Sequence, residues 1–391
     1  MRPIVVPEGL VARLTAFRRD LHAYPELGYE ERRTAHQVAE RLREIGAEVA
    51  TSVGRTGLVG TLRRTGRDRS IGLRADMDAL PLTELSGLPH RSRNEGRMHA
   101  CGHDGHTAML LGAAEVLARR PDWRGCIHFI FQPAEESGAG ARAMLDDGLI
   151  ERFPMHQVYA LHNWPALETG QFHVRDGVMM AGSDTFQIGI SGRGGHAAMP
   201  HQATDVIVAG GALVQALQTL VARNTDPQQA AVISVTRFNA GQTTNVLPER
   251  AELAGTVRTF TADVRAALEE GMRRVCRGIE AAFGVGIAVD YQQGYPPTCN
   301  SDGPVALCRR AARSVFGIAN VRDDLAPSMG AEDFAFIARA VPACYAWIGS
   351  GVAGQADAQL HNPRYDFNDE VIPLGVRYWV ELAEAALAEP Q

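Results

Sequence analysis

The spacing of hydrophobic residues changes along the chain and predicts two kinds of domain. Helical periodicity dominates about the first fifty residues, where Ala35, Val38, Leu42 and Ile45 share one face before Gly46. From there to residue 182, short β-rich runs alternate with helical stretches, and the runs are 58–62, 71–75, 126–131 and 158–161. This alternation predicts an α/β domain with a mostly parallel sheet flanked by helices.

Residues 184–294 have a different rhythm. Strand-like and helix-like segments follow one another there in the order β-α-β-β-α-β, at 185–190, 204–223, 231–238, 250–260, 262–283 and 285–291. This order is typical of a four-stranded antiparallel sheet with two helices on one face. We therefore predict an inserted α+β domain of βαββαβ order at 184–294, between two parts of the α/β domain at 1–183 and 295–391.

Composition and charge exclude several classes of protein. The 391 residues are 45% hydrophobic and 21% charged, which argues against disorder and against a small disulfide scaffold. The formal net charge of −6 comes without blocks of like charge, so we expect no nucleic-acid partner and no membrane partner. Six scattered cysteines without a CxxC pair, and no signal-like apolar run, favour a cytoplasmic location.

Residues that can bind metals occur where the predicted strands end. CGHDGH at 101–106 lies in a loop just before a predicted helix, a glutamate pair at 135–136 follows an apolar strand, and another strand precedes His162. Ligands bind at the carboxyl ends of strands in open α/β sheets, so these groups are expected to converge. With the polar loop 359–368, the candidate metal ligands are Cys101, His103, Glu136, His162 and His361.

Thiolate, imidazole and carboxylate together suit borderline divalent ions such as zinc, manganese, nickel or cobalt. Five ligands exceed the needs of one closed tetrahedral site, so we predict two divalent metal ions with open positions for water and substrate. Metals of this kind lower the pKa of bound water and polarise a scissile carbonyl. A carboxylate that is left free beside them can act as a general base.

Other interpretations stay open at this point. A single buried cysteine is usually a small core residue, and a glutamate pair is favoured at the start of a helix by the helix dipole. The pattern Gly138-x-Gly140-x-x-Ala143 imitates a dinucleotide fingerprint, but two glutamates would occupy the place of the pyrophosphate. Cys101 could instead be a nucleophile, although His103 is closer in sequence than catalytic partners usually are.

Eight motifs occur in an order that carries a family resemblance. They are RRDLHAYPELGYEE (18–31), LRADMDALP (73–81), MHACGHDGHTAMLLGAA (98–114), FQPAEE (131–136), LHNW (161–164), GRGGHAAMPH (192–201), NVLPE (245–249) and MGAEDF (329–334). Together they resemble the aminoacylase/carboxypeptidase superfamily of two-metal peptidases. Within it, the chain is similar to the amidohydrolase branch, which contains hippurate hydrolase, N-acyl-L-amino-acid amidohydrolases and plant auxin-conjugate hydrolases.

The resemblance implies an activity and a catalytic base. The expected reaction is metal-dependent hydrolysis of the amide bond in an N-acyl or N-aroyl L-amino acid, with Glu135 as the base beside the five ligands. Asp78 is expected to orient a ligand imidazole, although an aspartate in a loop is also a common turn former. The wider superfamily has a histidine where this chain has Asp76, so the metal identity does not transfer directly from the zinc peptidases.

The resemblance also gives the inserted domain a role as a lid and dimerisation domain. His196 matches a histidine that stabilises the oxyanion in a neighbouring subunit's site, and whether it acts within its own chain stays open. Asn245 and Arg258 match positions that hold the substrate carboxylate. The expected partners are a small-molecule N-acyl amino acid and further copies of the chain, in a homodimer or homotetramer formed through the lid.

Three further functions are compatible with the sequence. A dipeptidase or carboxypeptidase of the same fold would use the same ligands, and so would an N-acetyl-amino-acid deacetylase. A metal-dependent binder or sensor without enzymatic activity would not need a spare carboxylate beside the ligands. The glutamate doublet therefore favours an enzyme.

Overall fold

The computed structural model describes residues 4–352 and 359–388. The α-helices are α1 (Glu8–Ala23), α2 (Arg32–Glu44), α3 (His103–Arg119), α4 (Gly140–Asp146), α5 (Leu149–Arg152), α6 (Val206–Asn224), α7 (Ala262–Phe283), α8 (Asp302–Phe316), α9 (Ala335–Ala340) and α10 (Val371–Ala388). The strands are β1 (Glu48–Val53), β2 (Gly57–Arg64), β3 (Ser70–Asp76), β4 (Gly125–Gln132), β5 (Gln157–Glu168), β6 (Phe172–His173), β7 (Gly177–Met180), β8 (Gly182–Ser191), β9 (Gly195–His196), β10 (Ala231–Ala240), β11 (Val246–Leu247), β12 (Arg250–Thr259), β13 (Gly286–Tyr295), β14 (Thr298–Asn300), β15 (Val321–Arg322) and β16 (Ala343–Gly351).

The chain folds as two compact units. The first contains the described residues up to Met179, Thr298–Ala326 and the described residues from Asp333 onwards. The second contains Met180–Pro297 and Pro327–Glu332. The limits expected from the sequence are 184 and 294, and the short segment Pro327–Glu332 was expected in the α/β domain.

The first unit is built on an eight-stranded sheet of order β1-β2-β4-β3-β5-β16-β6-β15. Its central strands β4, β3, β5 and β16 are parallel to one another, whereas β2 is antiparallel to β4 and β1 is antiparallel to β2. Strand β4 is buried along its whole length, as expected for a strand covered on both faces. Helix α3 contacts α1 and α10, and its apolar residues belong to the main core. The predicted α/β class with a mostly parallel sheet is therefore confirmed.

The second unit has a four-stranded antiparallel sheet of order β10-β12-β8-β13 with helices α6 and α7. The predicted βαββαβ order is confirmed. Alternate residues of β8 are buried, so one face of the sheet packs on the helices. Helix α6 is long and apolar enough to cross a membrane by length and composition alone, but Leu213, Leu217 and Leu220 form a face buried in the core of this unit.

Two local predictions need correction. The CGHDGH motif is not entirely a loop, because α3 begins at His103, directly after Gly102 with its left-handed φ of 96°. His162 does not follow a strand but lies inside β5, which continues to Glu168. Pairing between β3 and β5 ends at Arg74 and Ala160, so His162 still lies beyond this pairing, toward the carboxyl end of the sheet.

Candidate metal centre

The predicted ligands of the first unit lie in overlapping donor groups. Cys101, Glu136 and His361 offer ligand atoms that all lie within 4.8 Å of one another, and the same limit holds for His103, Glu135 and Glu136. Glu136 belongs to both groups. A carboxylate has two oxygens, so this residue can contribute to two neighbouring metal ions at once. A third group within the same limit brings His162 together with His103, Asp76 and His106.

His103 is oriented by a carboxylate on its outer side. Its Nδ1 lies 3.2 Å from Oδ1 of Asp78, whose Oδ2 accepts a hydrogen bond from the backbone N–H of Glu136 at 3.0 Å. Burial alone would lower the pKa of His103, but Asp76 and the hydrogen bond to Asp78 raise it to about 10. The carboxylate of Asp78 thus contacts the imidazole of His103 and the backbone of Glu136, in the manner of carboxylates that fix ligand imidazoles.

The hydrogen bond made by His162 leaves its Nε2 available for a metal ion. Its Nδ1–H donates to the backbone carbonyl of Asn163 at 2.7 Å, which leaves Nε2 with its lone pair, 3.4 Å from Sγ of Cys101. Burial and the neighbouring His106 lower the pKa of His162 well below its ordinary value. The neutral imidazole that results is the form that binds metals.

His361 reaches the centre from a loop and has a left-handed φ of 63°. Its backbone N–H donates to the carbonyl of Ala100 at 2.7 Å, next to Cys101 in the chain. Its Nε2 lies 3.2 Å from Oε1 of Glu136, and this contact raises the pKa of His361. The side chain is 54% exposed, so this ligand faces the solvent side of the centre.

The donor set fits divalent metal ions. Nε2 of His103 is buried and has no hydrogen-bond partner among the residues that the structure describes. Burial and the nearby Glu136, Glu135 and Asp76 raise the pKa of the Cys101 thiol well above its usual range. A thiolate at this place therefore requires a cation beside it, which a divalent metal ion supplies.

Glu135 is buried beside this donor set. Its Oε1 accepts a hydrogen bond from the backbone N–H of Asp333 at 3.4 Å. The turn that carries it follows β4 directly, so the sheet fixes the position of the doublet. Both glutamates belong to the group with His103, and Glu136 is the one of the two that also belongs to the group with Cys101 and His361, which is compatible with a metal ligand beside a proton carrier.

A buried polar network behind the centre was not predicted from the sequence. Asp76 accepts a hydrogen bond from Nη1 of Arg74 at 2.8 Å and lies 2.6 Å from Nδ1 of His106. Burial alone would raise the pKa of Asp76, but His103, His106 and Arg74 lower it well below its usual range. Since Arg74 and His106 already engage both oxygens, Asp76 is better suited to holding the site than to binding metal. The spacing of His103 and His106, one turn apart on α3, was the sequence signal for this network.

The substrate-binding candidates lie in the second unit. His196 pairs with Val246 between the short strands β9 and β11, and the N–H of Ala197 donates to the carbonyl of Asn245 at 3.1 Å. The fold thus brings His196 and Asn245 together from distant parts of the chain. Arg258 lies half-buried on β12, and its guanidinium forms no hydrogen bond or ion pair with any residue in the described ranges. Burial lowers the pKa of Arg258, and the nearby charge of Asp184 opposes this shift.

Comparisons with known proteins agree with this geometry. A family model described as peptidase family M20/M25/M40 matches residues 72–385. Hippurate hydrolase of Campylobacter jejuni is 41% identical over 381 residues, which cover 97% of this chain and 98% of the relative. N-acetylcysteine deacetylase of Bacillus subtilis is 38% identical over 377 residues, with 96% and 97% covered. The solved structure of Bacillus subtilis YxeP, a dinuclear metal-binding peptidase from the M20 family, has a TM-score of 0.85 at 34% identity and covers 97% of this chain and 99% of its own.

Proposed function

The chain belongs to peptidase family M20/M25/M40, and we propose that it is a metal-dependent amidohydrolase of N-acyl and N-aroyl L-amino acids. It would release a carboxylate and a free amino acid. The observation that carries the proposal is the pair of donor groups that share Glu136, one of which also contains Glu135. The 41% identity to a hippurate hydrolase over nearly the whole chain supports this substrate class.

The residues of the first unit divide the chemistry between them. Cys101, His103, Glu136, His162 and His361 would hold two divalent ions, which when bound polarise the substrate carbonyl and acidify the attacking water. Glu135 takes the proton of that water and then delivers it to the nitrogen of the departing amine. Asp78 keeps the imidazole of His103 in the orientation that directs Nε2 to the centre. The metal would be zinc, manganese, nickel or cobalt, because this mixed donor set accepts each of them.

The lid residues would bind the substrate. Arg258, whose guanidinium forms no hydrogen bond with a described residue, is suited to pair with the substrate carboxylate, assisted by Asn245. His196 is exposed and would stabilise the oxyanion, in its own chain or in a neighbouring one. His196→Ala should regain part of its activity when it is mixed with Glu135→Gln subunits, which carry an intact His196. Mixing without any recovery would show that His196 acts within its own chain.

The lid is also proposed as the surface through which a homodimer or homotetramer assembles. Strand β10 is an edge strand of ten residues, and Val232 and Phe238 on it are 36% and 40% exposed. Ile207 and Val208 at the start of α6 are 42% and 56% exposed. An apolar edge of this length invites pairing with a second copy.

A cytoplasmic location is proposed on the chemistry of the cysteines. The six cysteines, all within the described residues, are free thiols. Free thiols together with a thiolate metal ligand are typical of a reducing compartment.

A panel of substrates tests the proposed function. The metal-free protein is reconstituted in turn with zinc, manganese, nickel and cobalt and assayed with hippurate, N-acetyl amino acids and dipeptides, with released amino acid as the readout. We expect hydrolysis of hippurate-like substrates in preference to dipeptides. The second candidate is an N-acetyl-amino-acid deacetylase, which the 38% identity to N-acetylcysteine deacetylase favours, and a preference for acetyl substrates would establish it. Metal binding without hydrolysis of any of these would exclude both.

A further inference from the structure

The turn that carries the glutamate doublet has an unfavourable backbone conformation. Ala134, directly before Glu135, has a φ of 49°, and Ala139 a few residues later has a φ of 51°. The left-handed region is disfavoured for residues with a side chain and persists only where the surroundings impose it. Something in the fold must therefore hold Ala134 in this conformation.

Within the turn, the carbonyl of Ala134 accepts hydrogen bonds from the N–H groups of Gly138 and Gly140, and contacts from outside the turn come from the motif PELGYEE near the N-terminus. Oε1 of Glu31 accepts a hydrogen bond from the backbone N–H of Ala134 at 2.8 Å, and its Oε2 accepts one from the hydroxyl of Thr56. Burial raises the pKa of Glu31 to about 7 although these hydrogen bonds oppose the shift. A fully buried carboxyl is an unfavourable residue for a core, so its presence beside Ala134 needs a reason other than packing.

Gly28 and Tyr29, which precede Glu31 in the chain, also contact the turn that carries the glutamate doublet. A Cβ atom added to Gly28 would lie 3.0 Å from Cα and Cβ of Ala134, so the two backbones approach as closely as glycine allows. The hydroxyl of Tyr29 donates to the carbonyl of Gly138 at 2.6 Å, and Tyr29 itself has a left-handed φ of 65°. We refer to Gly28–Glu31 as the clamp.

We propose that Glu31 is a positioning residue which, with Gly28 and Tyr29, holds Ala134 in its left-handed conformation and thereby places Glu135 and Glu136 at the metal centre. The role of the clamp rests on the proposed function, in which Glu135 is the base and Glu136 a ligand. The opposite side of the turn is fixed by Asp78, which accepts the N–H of Glu136. Release of the clamp lets Ala134 relax to a negative φ, which would displace both carboxylates.

The first test compares two substitutions of Glu31. Glu31→Gln keeps an oxygen that accepts the N–H of Ala134, whereas Glu31→Met has a similar length and no acceptor. We expect Glu31→Gln to stay within about threefold of the wild-type kcat, and Glu31→Met to lose about 10- to 100-fold in kcat with little change in KM. Activity is expressed per metal-loaded folded chain, so a purely structural role would lower the melting temperature and leave this kcat unchanged. A folded, metal-loaded Glu31→Met protein with wild-type kcat would overturn the proposal.

Rescue by glycine provides a second readout. Glycine adopts a positive φ without strain, so the Ala134→Gly substitution removes the need for the clamp. We expect Glu31→Met/Ala134→Gly to recover most of the kcat that Glu31→Met loses. A double variant as slow as Glu31→Met would show that Glu31 acts otherwise than through the conformation of Ala134.

Gly28→Ala tests the clamp without the loss of any hydrogen bond, in case Glu31→Met does not fold. The new methyl group would press on Ala134, so kcat and the affinity for Co²⁺ should both fall. Gly9→Ala is the matched control, since an added Cβ there meets nothing within 4 Å, and it should behave as wild type. If the wild-type protein hydrolyses no acyl amino acid, the proposed function fails. The affinity for Co²⁺ still tests the clamp, because the clamp is proposed to position the metal ligand Glu136. Wild-type Co²⁺ affinity in both Gly28→Ala and Glu31→Met would then refute the clamp.

Discussion

Arg74 is the cation on which the buried network behind the metal centre depends, and its removal should destabilise the first unit measurably. The guanidinium lies on β3 and is 1% exposed. It donates to Asp76 at 2.8 Å, to Oε1 of Gln132 at 2.8 Å and to Asp333 at 3.1 Å. The substitution Arg74→Met keeps much of the side-chain volume and removes all of these donors.

The expected loss of unfolding free energy depends on the contacts that Asp76 and Asp333 retain after the substitution. Removal of one partner from a buried ion pair costs about 3–5 kcal/mol, since it leaves a buried charge uncompensated. Asp76 retains its contact with His106, and Asp333 retains hydrogen bonds from Nε2 of Gln132 and from the N–H of Ala141. We therefore expect the lower end of that range, about 3 kcal/mol of unfolding free energy.

Tryptophan fluorescence during urea unfolding of the metal-saturated protein measures this loss. All four tryptophans (residues 123, 164, 347 and 379) belong to the first unit, so the signal reports that unit rather than the lid. Arg19→Met is the control, because Arg19 is 50% exposed in its pair with Asp369 and should contribute less than about 1 kcal/mol. An Arg74→Met protein within about 0.5 kcal/mol of the wild type would refute the reasoning about buried charge.

Three other predictions concern pH, metal and assembly. Burial lowers the pKa of His128 to about 4, below its unfolded value of about 6.5, so its stabilising contribution is present above pH 6.5 and is lost as the pH falls from 6.5 to 4. The free energy of unfolding of His128→Gln should therefore fall by about 2 kcal/mol less than that of the wild type between pH 7 and pH 5. An unchanged pH dependence would contradict this. A chelator should abolish hydrolysis and added divalent metal should restore it, whereas activity that survives complete metal removal would favour Cys101 as a nucleophile. Phe238→Glu on the edge strand β10 should yield a monomer in light scattering, and an intact oligomer would place the interface elsewhere.

The lid shows what local pattern can predict. Alternating burial in β8 and the apolar face of α6 are properties of short segments, and the order of the six elements then restricts the sheet to very few topologies. The antiparallel edge formed by β1 and β2 was harder to predict, since both strand directions satisfy the same hydrophobic pattern.

The candidate site was predictable only where chemistry is carried by residue type. Cysteine, histidine and glutamate are residue types that bind metals, so the sequence could name candidate donors, although the exact start of α3 depends on the left-handed φ of Gly102, which no periodicity shows. The contacts of Arg74 with Asp333 and of Glu31 with Ala134 join residues that are far apart in the chain. Such pairs depend on the tertiary fold, so a single sequence carries no local signal for them.

Glu135→Gln tests the central claim most directly. The substitution keeps the size of the side chain and removes its ability to take a proton, while the five predicted ligands stay in place. After reconstitution, we predict two metal ions per chain, as in the wild type, and a loss of at least about 10²-fold in kcat for the best acyl amino acid. A variant that binds both metals and retains most of its kcat would contradict the assignment of Glu135 as the base.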